Sequence, residues 1–174
     1  MDEPTIRFAT EADVPTILHL IHALAAYEKA TSSVQATEAS LRSTLSFPIP
    51  NSDDFTPGYA KTILIFPPGS SSSCAGFALF FHNYSTWLAK PGIYLEDLFV
   101  LPEYRGRGYG TRLLQYLARE VKRIGGGRLE WSVLKWNEPS IKFYQGDSVG
   151  AERMEEWVGM RVEGEERLGK LAGA

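Results

Sequence analysis

Apolar positions recur along the chain at two spacings, and each spacing predicts a different kind of element. Spacings of three and four residues predict one helix after Asp13, one after Thr37, and one whose apolar face runs from Leu113 to Val121. A short helix is predicted at residues 138–145. Short apolar runs predict strands at residues 5–9, 59–66, 74–83, 93–100 and 128–133, and a returning strand from residue 157 onward. Strands that alternate with helices in this order predict a mixed α/β sheet.

A glycine-rich turn follows the predicted central strand at residues 93–100. It reads Arg105-Gly106-Arg107-Gly108-Tyr109-Gly110 and opens the helix that carries Leu113. The first backbone N–H groups of a helix have no partner inside the helix, and the helix dipole adds positive charge at the same end. Such a turn can hold a pyrophosphate. The alternative is a tight turn whose glycines and arginines bind nothing.

Composition favours one folded domain that spans residues 1–174, since 44% of the residues are hydrophobic and 22% are charged. The net charge of -3 argues against a nucleic-acid surface and suits a cationic small substrate. The single cysteine, Cys74, excludes an internal disulfide and favours a reducing compartment, which predicts a cytoplasmic protein. We expect no membrane span, since the longest apolar runs have the length of strands.

Two separated motifs resemble one known family. Residues 94–110, which end in the R-x-x-G-x-G pattern, resemble motif A of the GNAT superfamily of acetyl-coenzyme A-dependent N-acetyltransferases, and residues 136–144 resemble its motif B. Residues 8–13, 26–28, 84–87 and 94–97 are similar to the spermidine/spermine branch, which includes thialysine acetyltransferases. The resemblance spans nearly the whole chain. Residues 146–149 depart from it, because they are longer than the family's turn.

The resemblance implies a fold, a cosubstrate and an assembly. The fold is the GNAT fold, a mixed and mostly antiparallel sheet flanked by helices, in which two splayed strands form a slot for acetyl-coenzyme A. The assembly is a homodimer. The positions that match the coenzyme contacts of the family are Leu98, Phe99, Val100, Arg105, Gly106, Arg107, Gly108, Tyr109, Gly110, Asn137 and Ser140.

Amine acetylation needs a proton acceptor. A typical alkyl ammonium loses its proton at pH 7 at a cost of about 4.6 kcal/mol. Glu96 and Asp97 occupy adjacent strand positions, so alternation places them on opposite faces and only one of them faces the substrate. The resemblance selects Glu96 as the general base, through an ordered water, with Asp97 as a supporting acid. The alternative is a pair of solvated charges beside a bulge.

The resemblance also assigns Tyr144 as the general acid for the departing thiolate, and Tyr27, Glu28 and Trp87, together with Glu96, as the acceptor site. Aromatic faces hold cations, and a carboxylate pairs with a distal ammonium. Each residue has a plainer alternative: core packing for Tyr144 and Tyr27, a solvent-exposed charge for Glu28, and a loop anchor for Trp87. We predict no metal site, because the histidines lack ligand partners in the sequence.

The predicted function is transfer of acetyl from acetyl-coenzyme A to a primary amine, by direct attack in a ternary complex. Polyamine acetyltransferases of this branch commonly carry an acid where this chain has Ser85, so thialysine, lysine-like amino acids or short diamines are the favoured acceptors. Spermidine and spermine are alternatives. Acetylation of proteins and a coenzyme-binding regulator without catalysis are further alternatives.

Overall fold

A five-stranded sheet forms the centre of the first part of the chain. The computed structural model describes residues 3–173. The strands lie in the order β1-β2-β3-β4-β5. Neighbours among β1 to β4 are antiparallel, and β4 pairs with β5 in parallel. The strands are β1 (Thr5–Phe8), β2 (Lys61–Phe66), β3 (Gly76–Ser85), β4 (Lys90–Val100) and β5 (Leu129–Trp131).

This topology confirms the mixed and mostly antiparallel sheet that the sequence predicts. Each of the five predicted strands is present, although β5 is shorter than residues 128–133. The prediction that residues 93–100 form the central strand is wrong, because β3 lies in the middle and β4 lies between β3 and the edge strand β5. Position within a sheet depends on non-local pairing, which apolar content alone does not report.

Three helices pack on this sheet: α1 (Val14–Tyr27), α2 (Glu38–Thr44) and α3 (Tyr109–Arg123). Ile17 of α1 and Leu41 of α2 join Phe77 of β3 in one buried apolar cluster. The other face of the sheet carries Phe8 and Phe80, and the ring of Tyr116 in α3 lies 5.9 Å from that of Phe8. The sheet is therefore covered on both faces, as its largely apolar strands require.

The chain divides into two units, residues 1–138 and residues 139–174. The prediction of one domain therefore stays a prediction. The second unit contains most of α4 (Glu138–Gln145) and α5 (Glu165–Ala172). The strand predicted from Trp157 onward is wrong: residues 157–163 form no strand, and a helix follows them. Two acids in the first turn and Lys170 in the last turn complement the dipole of α5. No helix within residues 3–173 is long and apolar enough to cross a membrane.

An ion pair fixes the entry into α1. The Arg7 guanidinium donates to both oxygens of the Asp13 carboxylate, at 2.7 and 2.8 Å, and lies 4.8 Å from the ring of Phe66. The backbone N–H and the hydroxyl of Thr10 also donate to Asp13. The hydrogen bond from Arg7 is the main reason why the pKa of Asp13 is lowered to about 2.

Replacing Asp13 by Asn should lower the free energy of unfolding by about 1–2 kcal/mol at pH 7, since water screens part of the half-exposed pair. The pKa of Asp13 is lower in the folded chain than the ordinary value of 3.8, so this stabilisation is present above about pH 4 and is lost as the pH falls towards 2. Urea unfolding of the wild-type protein and of Asp13→Asn at pH 7 and pH 3 measures this difference in stability.

Glu38→Gln is the matched control for this prediction. It breaks the exposed pair of Glu38 with Arg42 at 3.0 Å and should cost no more than about 0.5 kcal/mol. Equal losses in the two variants would contradict the proposed role of Asp13.

Candidate active site

The glycine-rich turn adopts a backbone conformation that only glycine takes without strain. Gly106 and Gly108 have φ values of 75° and 77°, in the left-handed region, and nothing lies within 4 Å of a Cβ built on either residue. Gly108 is the N-cap of α3, whose first turn contains Tyr109 and Gly110. The open space beside these residues and the free N–H groups of the first turn suit an anionic group.

Arg105 ties this turn to the sheet and to α1. Its Nε donates to the backbone carbonyl of Val100 at 2.9 Å. Its guanidinium lies 4.8 Å from the ring centre of Tyr27 and 5.2 Å from that of Phe99. Arg107 likewise donates to a backbone carbonyl of its own segment, that of Glu103. Both arginine heads therefore make contacts within the protein, so anion binding at the turn depends on the backbone amides.

The strands β4 and β5 pair over a short distance and then part. Their register joins Ile93 with Leu129 and Leu95 with Trp131, and no pairing continues beyond Leu95 among the described residues. The segment from Leu98 to Val100 therefore pairs with β3 on one side only. This is the splayed pair that the resemblance implies, and it opens towards the glycine-rich turn.

A β-bulge interrupts β4 at Glu96. Asp97 lies opposite Leu79 and Leu95 lies opposite Phe80, so Glu96 is an extra residue with no partner on β3. The bulge therefore breaks the alternation between Leu95 and Asp97, and the prediction that Glu96 and Asp97 face opposite sides stays a prediction. The bulge restarts the alternation, and Asp97 takes the face that carries Leu79 and Phe99. The apolar spacing shows this change of phase, because Ile93 and Leu95 are followed by Leu98.

Asp97 is a half-buried acid in a negatively charged surrounding. Burial is the main reason why its pKa is raised to about 6, and the charges of Glu96 and Glu28 raise the pKa further. Burial also raises the pKa of Glu28, which caps the C-terminal end of α1. Three carboxylates around one site favour a bound cation, and Asp97 can exchange a proton near neutral pH.

Tyr27 connects the last turn of α1 to the sheet and to the segment after β5. Its hydroxyl donates to Oδ1 of the buried Asn137 at 3.0 Å. Its ring lies 6.3 Å from the rings of both Phe99 and Trp136. The structure thus brings Tyr27, Glu28, Glu96, Asp97, Phe99 and Asn137 into one region of the first unit.

Three further predicted site residues lie on other elements: Trp87 in a turn of the first unit, and Ser140 and Tyr144 in the second unit. Trp87 is 89% exposed in the turn between β3 and β4. Asp97 is the seventh residue of β4 after Lys90, which corresponds to roughly 23 Å at 3.3 Å per residue. Ser140 and Tyr144 lie on α4. Their assignments stay predictions.

Lys29 and Trp136 are neighbours of the site that the sequence does not identify as functional. Lys29 has a φ of 59°, and its Nζ lies 5.9 Å from the ring centre of Trp136. A lysine after a helix carries no local signal of a special conformation. The pairing of Lys29 with Trp136 joins residues far apart in the sequence, so spacing cannot reveal it.

Comparison with known proteins identifies the same family that the motifs resemble. The family described as Acetyltransferase (GNAT) matches residues 38–146, which include β4, the glycine-rich turn and α4. An integron cassette protein from the mobile metagenome of V. cholerae superposes with a TM-score of 0.75, at 24% identity over 98% of each chain. That level of identity supports the fold alone.

Two curated relatives match most of the chain. The thialysine N-epsilon-acetyltransferase of Bos taurus is 37% identical, over 97% of this chain and 96% of its own length. The L-ornithine N5-acetyltransferase of Arabidopsis thaliana is 36% identical, over 92% of this chain and 84% of its own length. Both names describe acetylation of an amine in a small amino acid.

Replacing Glu28 by Gln should lower the pKa of Asp97 below its value of about 6, because the negative charge of Glu28 raises that pKa. Carboxyl-detected NMR titration of the free protein measures the shift directly. Glu38→Gln, which removes an exposed carboxylate already paired with Arg42, should leave the Asp97 titration in place. An unchanged Asp97 titration in Glu28→Gln would show that the two carboxylates do not interact.

Proposed function

Because the chain belongs to the GNAT acetyltransferase family, and is therefore an N-acetyltransferase that uses acetyl-coenzyme A, we propose that its acceptor is the primary amine of a small cationic molecule. The favoured acceptors are thialysine, lysine-like amino acids and short diamines. The observation that carries this proposal is the half-buried Asp97, whose pKa the charges of Glu28 and Glu96 raise. Such a cluster attracts an ammonium group and can take its proton.

The names of the relatives support the same class of acceptor. Thialysine and ornithine are both amino acids with a primary amine at the end of the side chain. A relative in Homo sapiens, 30% identical over 83% of this chain, is described as a spermidine/spermine N(1)-acetyltransferase-like protein. Spermidine and spermine therefore remain the second candidate acceptors, and the presence of Ser85 places them behind lysine-like molecules.

Acetyl-coenzyme A supplies the activated acetyl group when it is bound. The left-handed glycines and the open space beside them fit its pyrophosphate, which the backbone amides of the turn from Arg105 to Gly110 would hold. The unpaired edge of β4 at Leu98, Phe99 and Val100 would orient the acyl and pantetheine groups. Asn137 and Ser140 are further proposed contacts.

The coupled carboxylates Glu96 and Asp97 are proposed to accept the proton of the acceptor ammonium. Asp97 is the better matched of the two, because its pKa of about 6 lies near neutral pH and its side chain is half-buried, whereas Glu96 is exposed. Glu96 raises that pKa through its charge, whether or not it relays the proton through water. Tyr144 is proposed to donate a proton to the departing sulfur. A homodimer is proposed from the resemblance, and a cytoplasmic location is proposed from the single cysteine, Cys74.

A panel assay tests the function. Purified protein and acetyl-coenzyme A are offered thialysine, lysine, ornithine, putrescine, spermidine and a histone-type peptide, and release of free thiol is measured. We expect the highest kcat/KM with thialysine or another lysine-like acceptor. Preference for the peptide would support protein acetylation, and coenzyme binding without thiol release would support a regulator.

Gly108→Ala should weaken coenzyme A binding by about tenfold or more, because a Cβ at a left-handed position changes the path of the amides. Gly125→Ala is the matched control: Gly125 follows α3, also has a positive φ of 66°, and also has nothing within 4 Å of a built Cβ. Both variants should lose similar stability. Calorimetry should find weaker coenzyme A binding only in Gly108→Ala, and equal affinities would remove the turn from the binding site.

A further inference from the structure

Two opposite charges stand side by side where α1 ends. Glu28 is half-buried and interacts with Asp97, whereas Lys29 is exposed. The chain turns sharply here: the N–H of Lys29 donates to the carbonyl of Ala26, and that of Ala30 to the carbonyl of Ala25. Lys29 takes the left-handed conformation at φ 59°, which costs a residue with a Cβ about 1 kcal/mol. The two hydrogen bonds form a Schellman motif, which ends a helix with a residue in this conformation and directs Lys29 away from the helix axis.

The Lys29 ammonium lies at the outer end of a row of aromatic rings. Phe99, Tyr27 and Trp136 follow one another at 6.3 Å between ring centres, and the Lys29 Nζ lies 5.9 Å from the ring of Trp136. The inner end of the row is close to Asp97, which lies two residues before Phe99 on the same face of β4. The row therefore leads from the acid cluster to an ammonium group.

The Lys29 ammonium contacts the face of Trp136 and makes no ion pair within residues 3–173. Among residues 3–173, no carboxylate lies within 4.0 Å of its Nζ. The other cation at this aromatic row, Arg105, donates its Nε to the carbonyl of Val100. Lys29 is thus the cation available for a ligand at the outer end, and Trp136, which is 52% exposed, leaves that end open to solvent.

We infer that Lys29 binds the carboxylate of an amino-acid acceptor while Glu28 binds its α-ammonium. This inference rests on the proposed function and names the acceptor within it. The side-chain amine of the acceptor then reaches Asp97, and the methylene stem lies along the aromatic rings. The adjacent Glu28 and Lys29 match the adjacent charges of an α-amino acid, so Lys29 is a specificity-determining residue.

The arrangement distinguishes amino acids from amines that lack a carboxylate. A diamine or polyamine presents only positive groups, and the Lys29 ammonium repels the distal one. An amino acid with a side-chain amine gains a charge-assisted contact at the same place. Lys29 therefore favours the binding of lysine-like acceptors and disfavours the binding of polyamines.

The test compares lysine with cadaverine, which is lysine without its carboxylate. In Lys29→Met, which keeps the length of the stem and removes the charge, kcat/KM for lysine should fall about tenfold or more, mostly through KM. The kcat/KM for cadaverine should stay the same or rise. Lys29→Arg should retain the preference for lysine, because it retains the positive charge.

Lys122→Met is the matched control, because Lys122 is an exposed lysine on α3. Lys122→Met should leave kcat/KM unchanged for both acceptors. If Lys29→Met lowers kcat/KM equally for lysine and cadaverine, or lowers it for neither, the inference is overturned and the proposed amine acetylation is not. A wild-type protein that acetylates cadaverine and not lysine would also overturn it. Acetylation of no small amine at all would overturn the proposed function itself.

Discussion

The β-bulge at Glu96 is the constraint on which the site depends. One extra residue in β4 restarts the alternation of the strand, so that Asp97 shares a face with Leu79 and Phe99. An acid on a largely buried face is desolvated, and the nearby charges of Glu28 and Glu96 oppose its ionisation further. A carboxyl that would be fully ionised in water thus becomes a group that can hold or release a proton near neutral pH. A bound cation would relieve the same repulsion.

The donor side depends on a second constraint, the parting of β4 from β5 beside the glycine-rich turn. The last three residues of β4 keep one free edge, and the left-handed Gly106 and Gly108 direct the amides of the turn towards open space. Arg105 connects the end of β4 with α1, because it donates a hydrogen bond to the carbonyl of Val100 and its guanidinium contacts the face of the Tyr27 ring. The proposed donor slot and the proposed acceptor cluster are therefore linked through one side chain within the first unit.

The sequence predicts the local features of this molecule well and its non-local features poorly. The helix after Asp13 and the helix around Leu113 follow from apolar periodicity, and the turn at Gly108 follows from glycine spacing. The bulge at Glu96 depends on the register with β3, which is set by pairing across the sheet. Apolar content from Trp157 onward favours a strand, but residues 157–163 pair with no strand within residues 3–173. Residues 165–172 form a helix instead. The contact between Lys29 and Trp136 joins residues that are far apart in the sequence, so the spacing of residue types along the chain does not predict it.

The central claim is that Asp97, with its pKa raised by burial and by Glu96, takes the proton of the acceptor. The most direct test is the pH dependence of kcat/KM for the preferred amine in the wild-type protein, Asp97→Asn and Glu96→Gln. Activity should fall as the pH drops through about 6 in the wild-type protein. Asp97→Asn should remove this limb and lower kcat by about 100-fold, whereas Glu96→Gln should move the limb to lower pH, since it removes a charge that raises the pKa of Asp97. A limb that vanishes in Glu96→Gln and persists in Asp97→Asn would contradict the account.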